Sequence, residues 1–212
     1  MTEHESSGRR PTLRERKKLR TRQALVTEAL RRFTTRGFAE TTLDELVEAV
    51  EISQRTFFRN FASKEDVALA PEQELWATYV DVFARQPAGD APFADYQRAL
   101  FATVASMDEG WAARFRDSRT LAERTPALAG HSLRNCAEAT DRVLGVTARG
   151  PEEGPDAEVR LRLLLELMLS AWRWAVHDWL RAEPGPDDRE GLLQRARHAF
   201  ALLPEVAALA SA

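Results

Sequence analysis

The sequence predicts an all-α protein in which a small N-terminal helical domain precedes a larger helical domain. Apolar residues recur at helical spacing along most of the 212-residue chain, and capping patterns stand where new helices should begin. Neither sustained apolar/polar alternation nor an Asn-Gly turn indicates strands. We therefore expect a disordered basic tail over residues 1–12, a first domain over 13–66 and a second domain over 67–212.

The first domain should begin with a long helix over residues 13–36. Its helically spaced apolar positions are Leu19, Val26, Ala29, Leu30 and Phe33. Gly37 follows as a natural C-terminal cap. Thr42 and Glu45 have the spacing of a capping box, which predicts the start of a second helix.

A third helix should follow the second after only three or four residues. Ser53 is a good N-cap, and the helix is expected to run to about Asn60. Ser63 and Asp66 then predict the cap of a fourth helix. Two helices joined by so short a turn are typical of a helix-turn-helix.

The second domain should be helical throughout, with Pro- and Gly-rich breaks. We expect its helices near 71–86, 92–107, 110–123, 127–148, 157–182 and 187–209. The helix over 157–182 is apolar on most sides, so it must be covered on more than one side. Either a central core position in a monomer or contact with a second copy of the chain would provide that cover.

Charge is distributed unevenly along the chain. Between Arg9 and Arg36 there are eleven Lys/Arg and two acidic residues, whereas the chain from Val67 onward carries a net charge of −6. The basic segment is either a solvated tail or an arm that follows a nucleic-acid backbone or enters the minor groove.

Several classes of protein are disfavoured by composition. The single cysteine, Cys136, cannot form an internal disulfide, and the polar N-terminus lacks the apolar core of a secretory signal, so we expect a cytoplasmic protein without membrane contact. There is no metal-type Cys/His spacing and no convincing catalytic triad or carboxylate pair. We therefore expect no metal, no cofactor and no enzymatic activity, with Cys136 beside His131 serving as packing.

The third helix combines an apolar face with a hydrogen-bonding face. Thr56, Phe57 and Phe61 form the expected inward stripe, with Phe58 at its edge. The side chains that point away, and that suit hydrogen bonds to base edges in a DNA major groove, are Gln54, Arg55, Arg59 and Asn60. Their expected phosphate-binding neighbours are Thr41, Thr42, Ser53 and Lys64. A small amphipathic subdomain with a charged surface is the alternative.

The stretch ALRRFTTRGFAETTLDELVEAVEISQRTFFRNFASKEDV resembles the DNA-binding domain of the TetR (tetracycline repressor) family. The resemblance covers residues 15–67, and its marks are Phe33, Gly37-Phe38, Thr41-Thr42, Ile52-Ser53, Thr56-Phe57-Phe58, Phe61 and Ser63-Lys64-Glu65. It implies a larger helical domain for ligand binding and dimerisation. The Phe-Phe motif and the layout suggest the branch that binds acyl-CoA-like ligands.

Three positions depart from the family pattern. The turn contains Val50-Glu51 where the family usually has Ala-Gly, so Glu51 should adopt a positive φ at a cost on the order of 1 kcal/mol. Val47 replaces a commonly small alanine, and Asn60 stands where Tyr or His often contacts a phosphate. These departures bear on operator sequence and affinity.

The resemblance implies an effector pocket in the second domain. Its expected lining is Phe93, Tyr96, Phe101, Met107, Trp111, Phe115, Met168 and Trp172, with Leu121, Leu128 and Trp174 as further candidates. For each of these, ordinary core packing is the alternative. The arginines that could anchor an acidic ligand group are Arg114, Arg116, Arg119 and Arg124.

The expected function is that of a ligand-responsive repressor. Two copies would pair through the helices near 157–182 and 187–209, place two recognition helices on a palindromic double-stranded DNA operator, and release it when a small effector binds. One competing interpretation is a helical small-molecule-binding protein or enzyme that has lost operator binding. Another is an interaction scaffold that uses the Trp-rich helix.

Overall fold

A computed structural model of the protein describes residues 12–87, 89, 91–147, 156–185 and 188–209. Within these residues the chain forms ten α-helices and no strand, which confirms the all-α prediction. The chain divides into two compact units, one ending at Ala68 and one beginning at Leu69. Nearly all of the predicted basic tail lies outside the described residues.

The first unit contains four helices, α1 (Leu13–Arg36), α2 (Leu43–Ala49), α3 (Gln54–Phe58) and α4 (Lys64–Ala68). The core is formed by side chains at helical spacing on α1 together with one or two from each short helix. Its fully buried apolar residues are Leu25, Ala29, Leu30, Phe33, Leu46, Phe57, Val67 and Ala68. The short helices are therefore stabilised mainly by tertiary packing, with α2 and α4 packed on α1 and α3 packed on α2.

The ends of these helices follow the predicted capping signals. Gly37 ends α1 with φ 106°, and its N–H donates to the Phe33 carbonyl at 3.1 Å. Thr42 and Glu45 form a complete capping box at the start of α2, and the Ser53 side chain caps α3. Asp66 donates its backbone N–H to Ser63 Oγ at 3.1 Å at the start of α4.

The second unit contains six helices, α5 (Ala70–Arg85), α6 (Pro92–Ser106), α7 (Trp111–Arg124), α8 (Pro126–Thr147), α9 (Ala157–Arg181) and α10 (Asp188–Leu209). Every one begins and ends within about one residue of the prediction. Pro and Gly supply the breaks because they cannot continue a helix without penalty. The core between these helices is rich in aromatic residues.

Polar anchors tie the ends of α7, α9 and α10 together. The Arg116 guanidinium lies 4.0 Å from the centroid of the Trp179 ring and forms a 2.5 Å ion pair with Asp188. It also donates to the carbonyls of Trp179 and Ala182, which end α9. Arg116, considered above as a ligand anchor, is thus fully engaged in joining these helices.

Helix α9 is buried on one side and carries an apolar stripe on the other. Leu161, Leu165 and Met168 pack inward, whereas apolar side chains at neighbouring positions are exposed. The exposed apolar residues of α9 and α10 are Val159, Leu163, Leu167, Trp174, Leu202, Val206 and Leu209. No helix in the described part of the chain is both long and apolar enough to span a membrane.

Candidate nucleic-acid interface and effector cavity

The turn between α2 and α3 has the strained backbone that the sequence predicts. Glu51 has φ 52°, the one positive φ outside glycine among the described residues. The turn is closed by two hydrogen bonds, from Glu51 N–H to the Glu48 carbonyl at 3.1 Å and from Ile52 N–H to the Val47 carbonyl at 2.9 Å. The turn therefore keeps the shape that glycine would favour, with an exposed carboxylate in its place.

Helix α3 is held in place by Phe57 within it and by Phe61, which follows it. Phe57 is fully buried and Phe61 nearly so, with their ring centroids 6.0 Å apart. Phe58 is 55% exposed, well beyond the edge position that the helical spacing predicted. The reason is that the helix ends at Phe58 and leaves that ring outside the small core.

Arg55 of α3 and Arg59, the C-cap residue of that helix, are the accessible cations of this surface. Arg55 and Arg59 are both exposed, and neither side chain makes a hydrogen bond or ion pair with any described residue. Gln54 is also exposed, but its amide donates to the Asp44 carboxylate at 2.5 Å. Asp44 belongs to the first turn of α2, so this contact joins the start of α2 to the start of α3.

Asn60 is placed differently from its predicted companions. It is half-buried, and its amide nitrogen donates to the Thr56 carbonyl at 2.7 Å. Its backbone carbonyl accepts from Arg22 at 2.7 Å, and the Arg22 guanidinium lies 4.0 Å from the Phe61 ring centroid. Asn60 therefore closes the C-terminal end of α3 against α1.

The predicted phosphate-binding residues fall into two groups. Thr41 is fully buried, and its hydroxyl donates to the Gly37 carbonyl at 2.8 Å. The Lys64 ammonium donates to the carbonyls of Phe38 and Thr41 and lies 4.3 Å from the Phe38 ring centroid. Both side chains stabilise the loop before α2, whereas the N-cap residues Thr42 and Ser53 are exposed.

Internal ion pairs neutralise the later part of α1. Glu28 accepts from Arg31 and Arg32, and hydrogen bonding by Arg31 is the main reason that its pKa falls to about 2. The Glu45 pKa is also lowered to about 2, chiefly by the Thr42 backbone N–H and then by Arg36. The accessible basic surface of α1 is therefore concentrated in its first turns, at Arg14, Arg16, Lys17, Lys18 and Arg20.

The second unit contains a cavity of about 310 Å³ between α5, α7, α8 and α9, and it is open to solvent where the exposed residues Glu123, Leu133, Arg173 and His177 line it. Its walls are formed largely by aromatic and aliphatic side chains, including Trp76, Phe115, Trp172 and Val176. That volume is at the lower end of the range of about 300–1,000 Å³ that is usual for small-molecule sites.

A buried polar cluster forms one side of this cavity. The Glu72 carboxylate accepts at Oε1 from Arg119 at 3.0 Å and from Ser132 at 2.8 Å, while Arg119 also donates to Ser132 at 2.7 Å. Burial raises the pKa of Glu72, and Arg119 opposes the shift. The Trp76 indole favours the ionised carboxylate, yet neither its Nε1 nor Glu72 Oε2 makes a hydrogen bond of normal geometry.

The predicted pocket residues are mostly core residues. Phe115 and Trp172 line the cavity. The other six predicted residues pack elsewhere in the unit: Phe93, Tyr96, Phe101, Met107, Trp111 and Met168. The sequence analysis did not predict Glu72 as a cavity residue. A signal was present, since Glu72 lies on the same helical stripe as the apolar residues Leu75, Trp76 and Tyr79.

Comparisons with known proteins agree with this geometry. The family described as bacterial regulatory proteins, tetR family, matches residues 25–70, which include α2 to α4. The HTH-type transcriptional regulator TcmR of Streptomyces glaucescens is 34% identical over 179 residues, covering 82% of this chain and 79% of that protein. The chain belongs to the TetR family. This TetR-family protein is a DNA-binding transcriptional regulator, and α2 and α3 form its helix-turn-helix.

Solved structures are similar at lower identity. A transcriptional regulator of the TerR/AcrR family from Aquifex aeolicus VF5 is 14% identical, covers 86% of this chain and 99% of its own, and has a TM-score of 0.53. It shows the same fold. The TetR-family repressor FadR of Thermus thermophilus, solved with lauroyl-CoA, is 24% identical, covers 84% of this chain and 93% of its own, and has a TM-score of 0.46. That likeness is too loose to bear on this chain's ligand.

Proposed function

We propose that this TetR-family regulator is a cytoplasmic repressor that binds a palindromic operator as a homodimer and leaves it when a small molecule fills the cavity. The observation that carries the proposal is the pair of exposed, unpaired guanidinium groups on α3, among the described residues, above a buried Phe57. Its action is binding alone, without catalysis.

Base recognition is assigned to the outward face of α3. Arg55 and Arg59 can each donate two hydrogen bonds to guanine O6 and N7 in the major groove. Gln54 can reach a base edge by exchanging its bond to Asp44. Asn60 contributes by fixing the end of the helix, because its amide is directed to the backbone.

Phosphate contacts are assigned to exposed groups around α3. The hydroxyl groups of Thr42 and Ser53 stand at helix starts where an anion is favoured, and the first turns of α1 supply a basic arm. Lys64 and Thr41 act indirectly by shaping the loop that presents Thr42. Such contacts set position and affinity but carry no base information.

Dimerisation is assigned to the apolar stripe of α9 and α10 defined above. Its exposed side chains recur along α9 at Val159, Leu163 and Leu167, one helical turn apart. A face of this kind is covered in a two-fold symmetric pair, which would present two copies of α3 to successive major grooves.

Ligand control is assigned to the cavity. A ligand can shift the balance between DNA-binding and released states only by its differential affinity for them, typically about 1–3 kcal/mol. The suggestion of an acyl-CoA-like effector stays a prediction.

The test is fluorescence anisotropy of the protein with the DNA upstream of its own gene. We expect tight binding with a steep salt dependence, and each of Arg55→Ala and Arg59→Ala should weaken operator binding by about 1–3 kcal/mol while hardly changing binding to random duplex. Arg142→Ala, an exposed arginine of α8, is the matched control. Equal affinity for operator and random DNA, or a light-scattering mass of one chain, would contradict the proposal.

One observation favours a second candidate. The exposed Glu51 carboxylate lies beside the reading helix, where it would repel DNA phosphates. A helical ligand-binding protein without operator affinity would show the same cavity but no duplex preference. Under that alternative, Glu51→Gln would restore little, whereas under the main proposal it should tighten DNA binding at low salt.

A further inference from the structure

The inner part of the cavity leaves little for a polar ligand group to bind. The Glu72 carboxylate accepts from Arg119 and Ser132, so the two opposite charges compensate each other within the protein. The remaining inner wall is mostly aromatic and aliphatic. Because a polar group buried without a partner is unfavourable, the part of a ligand that enters the cavity should be apolar.

Arg173, at the opening of the cavity, has no charged partner among the described residues. Its guanidinium donates to Ser170 Oγ at 3.0 Å, and the structure shows no ion pair for it in the described part of the chain. Glu123, the exposed acid of the same opening, has a partner in His177, whose Nδ1 lies 3.4 Å from its carboxylate. A guanidinium has five N–H donors, so Arg173 can still bind a carboxylate through two of them.

The positive charge of Arg173 is felt at the cavity wall. Burial raises the pKa of the Cys136 thiol, which lines the cavity, and Arg173 opposes this rise more strongly than Arg119 does. Glu72 and Glu166 act in the opposite direction on the same thiol. Glu72 is compensated by Arg119, and Glu166 does not line the cavity, so Arg173 is the cation best placed to attract an anion to the opening.

The arginines predicted as ligand anchors do not compete for this role. Arg119 alone among them lines the cavity, and Glu72 already pairs with it. Arg114, Arg116 and Arg124 lie outside the cavity wall. The anchor for an acidic ligand group is therefore on α9, at a position that the sequence analysis did not predict.

We propose that the cavity binds an amphipathic monoanion, whose apolar body fills the inner part and whose carboxylate pairs with Arg173 at the opening. The open mouth allows the carboxylate to keep part of its hydration, so its desolvation cost is small. The inference rests on the proposed function only for the role of this ligand as the effector.

The test compares three probes that share one apolar body and differ in charge. They are biphenyl-4-carboxylate, biphenyl-4-carboxamide and biphenyl-4-ylmethylammonium, titrated into the full-length protein at pH 7.5 by isothermal titration calorimetry. We expect the carboxylate to bind about three- to tenfold more tightly than the carboxamide, and the ammonium to bind most weakly. The preference is modest because Arg173 is exposed, and it should shrink as salt is added.

Substitutions at Arg173 separate the ion pair from simple fit. Arg173→Gln should bring the carboxylate to within about twofold of the carboxamide and leave the carboxamide affinity unchanged. Arg173→Lys keeps the charge without the planar fork, so it should retain part of the preference. Arg142→Gln, at an exposed arginine of α8 outside the cavity, is the matched control and should change no affinity.

Two neighbouring tryptophans of α9 report where the probes bind. Trp172 lines the cavity and is buried, whereas Trp174 is 47% exposed and does not line it. The indole N–H signals are followed by NMR and assigned by their loss in Trp172→Phe and Trp174→Phe. Each probe that binds should shift the Trp172 signal and leave the Trp174 signal in place, because an aromatic body in the cavity lies beside the first ring only.

Four results would overturn the inference. They are binding of the carboxamide or the ammonium as tight as that of the carboxylate, a carboxylate preference that persists in Arg173→Gln, a shift of Trp174 without one of Trp172, and no binding by any probe at millimolar concentration. Operator binding is measured on the same preparation. Sequence-specific operator binding beside any of these results leaves the regulator intact, whereas the expected probe binding without operator binding would contradict the proposed function alone.

Discussion

The candidate polar groups of the two units are placed differently, each relative to the core of its own unit. In the first unit, Arg55 and Arg59 stand outside a core that Phe57 anchors. In the second unit, Glu72 and Arg119 form part of the wall of a cavity that reaches from the core to the surface. Function and stability should therefore be separable in the first unit and coupled in the second.

The ionisation of acids shows the same contrast. Glu28 and Glu45 are paired near the surface, and hydrogen bonds lower the pKa of each to about 2. Burial raises the pKa of Glu72. One residue type thus gains from ionisation in the first unit and is penalised for it in the second.

The largest expected effect is on the anchor of α3. Phe57→Ala should lower the free energy of unfolding by about 3–5 kcal/mol, because it removes a fully buried ring and leaves a cavity. Phe58→Ala, the adjacent and half-exposed ring, is the matched control and should cost less than about 1 kcal/mol. Urea denaturation followed by circular dichroism measures both. Similar losses in the free energy of unfolding for the two variants would show that the buried and the exposed faces of α3 do not differ in their contribution to stability.

The second expected effect tests the coupling of function and stability in the cavity. Arg119→Ala should lower the free energy of unfolding by about 3 kcal/mol, because the buried Glu72 carboxylate loses its charged partner. Combining it with Glu72→Gln should recover part of that loss. Arg85→Ala, which breaks an exposed pair with Asp81, should cost about 0.5 kcal/mol or less. Equal losses in the free energy of unfolding for Arg119→Ala and Arg85→Ala would contradict the contrast between the units.

Local signals explain how much of the fold was predictable. The capping box at Thr42 and Glu45 and the cap at Gly37 are each determined by residues close together in the sequence, and the structure confirms both. The positive φ at Glu51 followed from the resemblance to the TetR family, which usually has glycine at this position of the turn, and is also confirmed. The two caps, in contrast, depend on residues within about four positions of one another, which is the range over which a sequence is directly readable.

Long-range packing explains what was missed. Glu72 meets Ser132, 60 residues away, and no spacing rule connects them. Lys64 likewise reaches back 26 residues to the Phe38 carbonyl, so its ammonium is occupied inside the unit. Aromatic residues of the second unit could be recognised as core from periodicity, but which of them face a cavity is decided by all of its helices together.

The third expected effect concerns the strained turn of the DNA-binding unit. Glu51→Gly should stabilise the protein by about 1 kcal/mol, because glycine adopts φ 52° without the steric cost of a side chain. Glu51→Gln keeps the strain and removes only the charge, so its unfolding free energy should stay near that of wild type. Thermal denaturation separates the two substitutions. A gain of equal size in both variants would assign the cost to charge and not to backbone geometry.

The smallest expected effect is a difference in acid response between the units. The pKa values of Glu28 and Glu45 are lowered, so their stabilising contributions are present above about pH 4.5 and are lost as the pH falls towards about 2. The pKa of Glu72 is raised, so its contribution is present at low pH and is lost as the pH rises above 4.5. The difference in melting temperature between wild type and Glu28→Gln should therefore shrink on acidification. The difference between wild type and Glu72→Gln should move in favour of wild type as the pH falls towards 4.5, above the range in which Glu28 responds. If the melting-temperature differences of the two variants changed with pH in parallel, burial would not control the ionisation of Glu72. The contrast between exposed, paired acids in the first unit and a buried acid in the second would then be wrong.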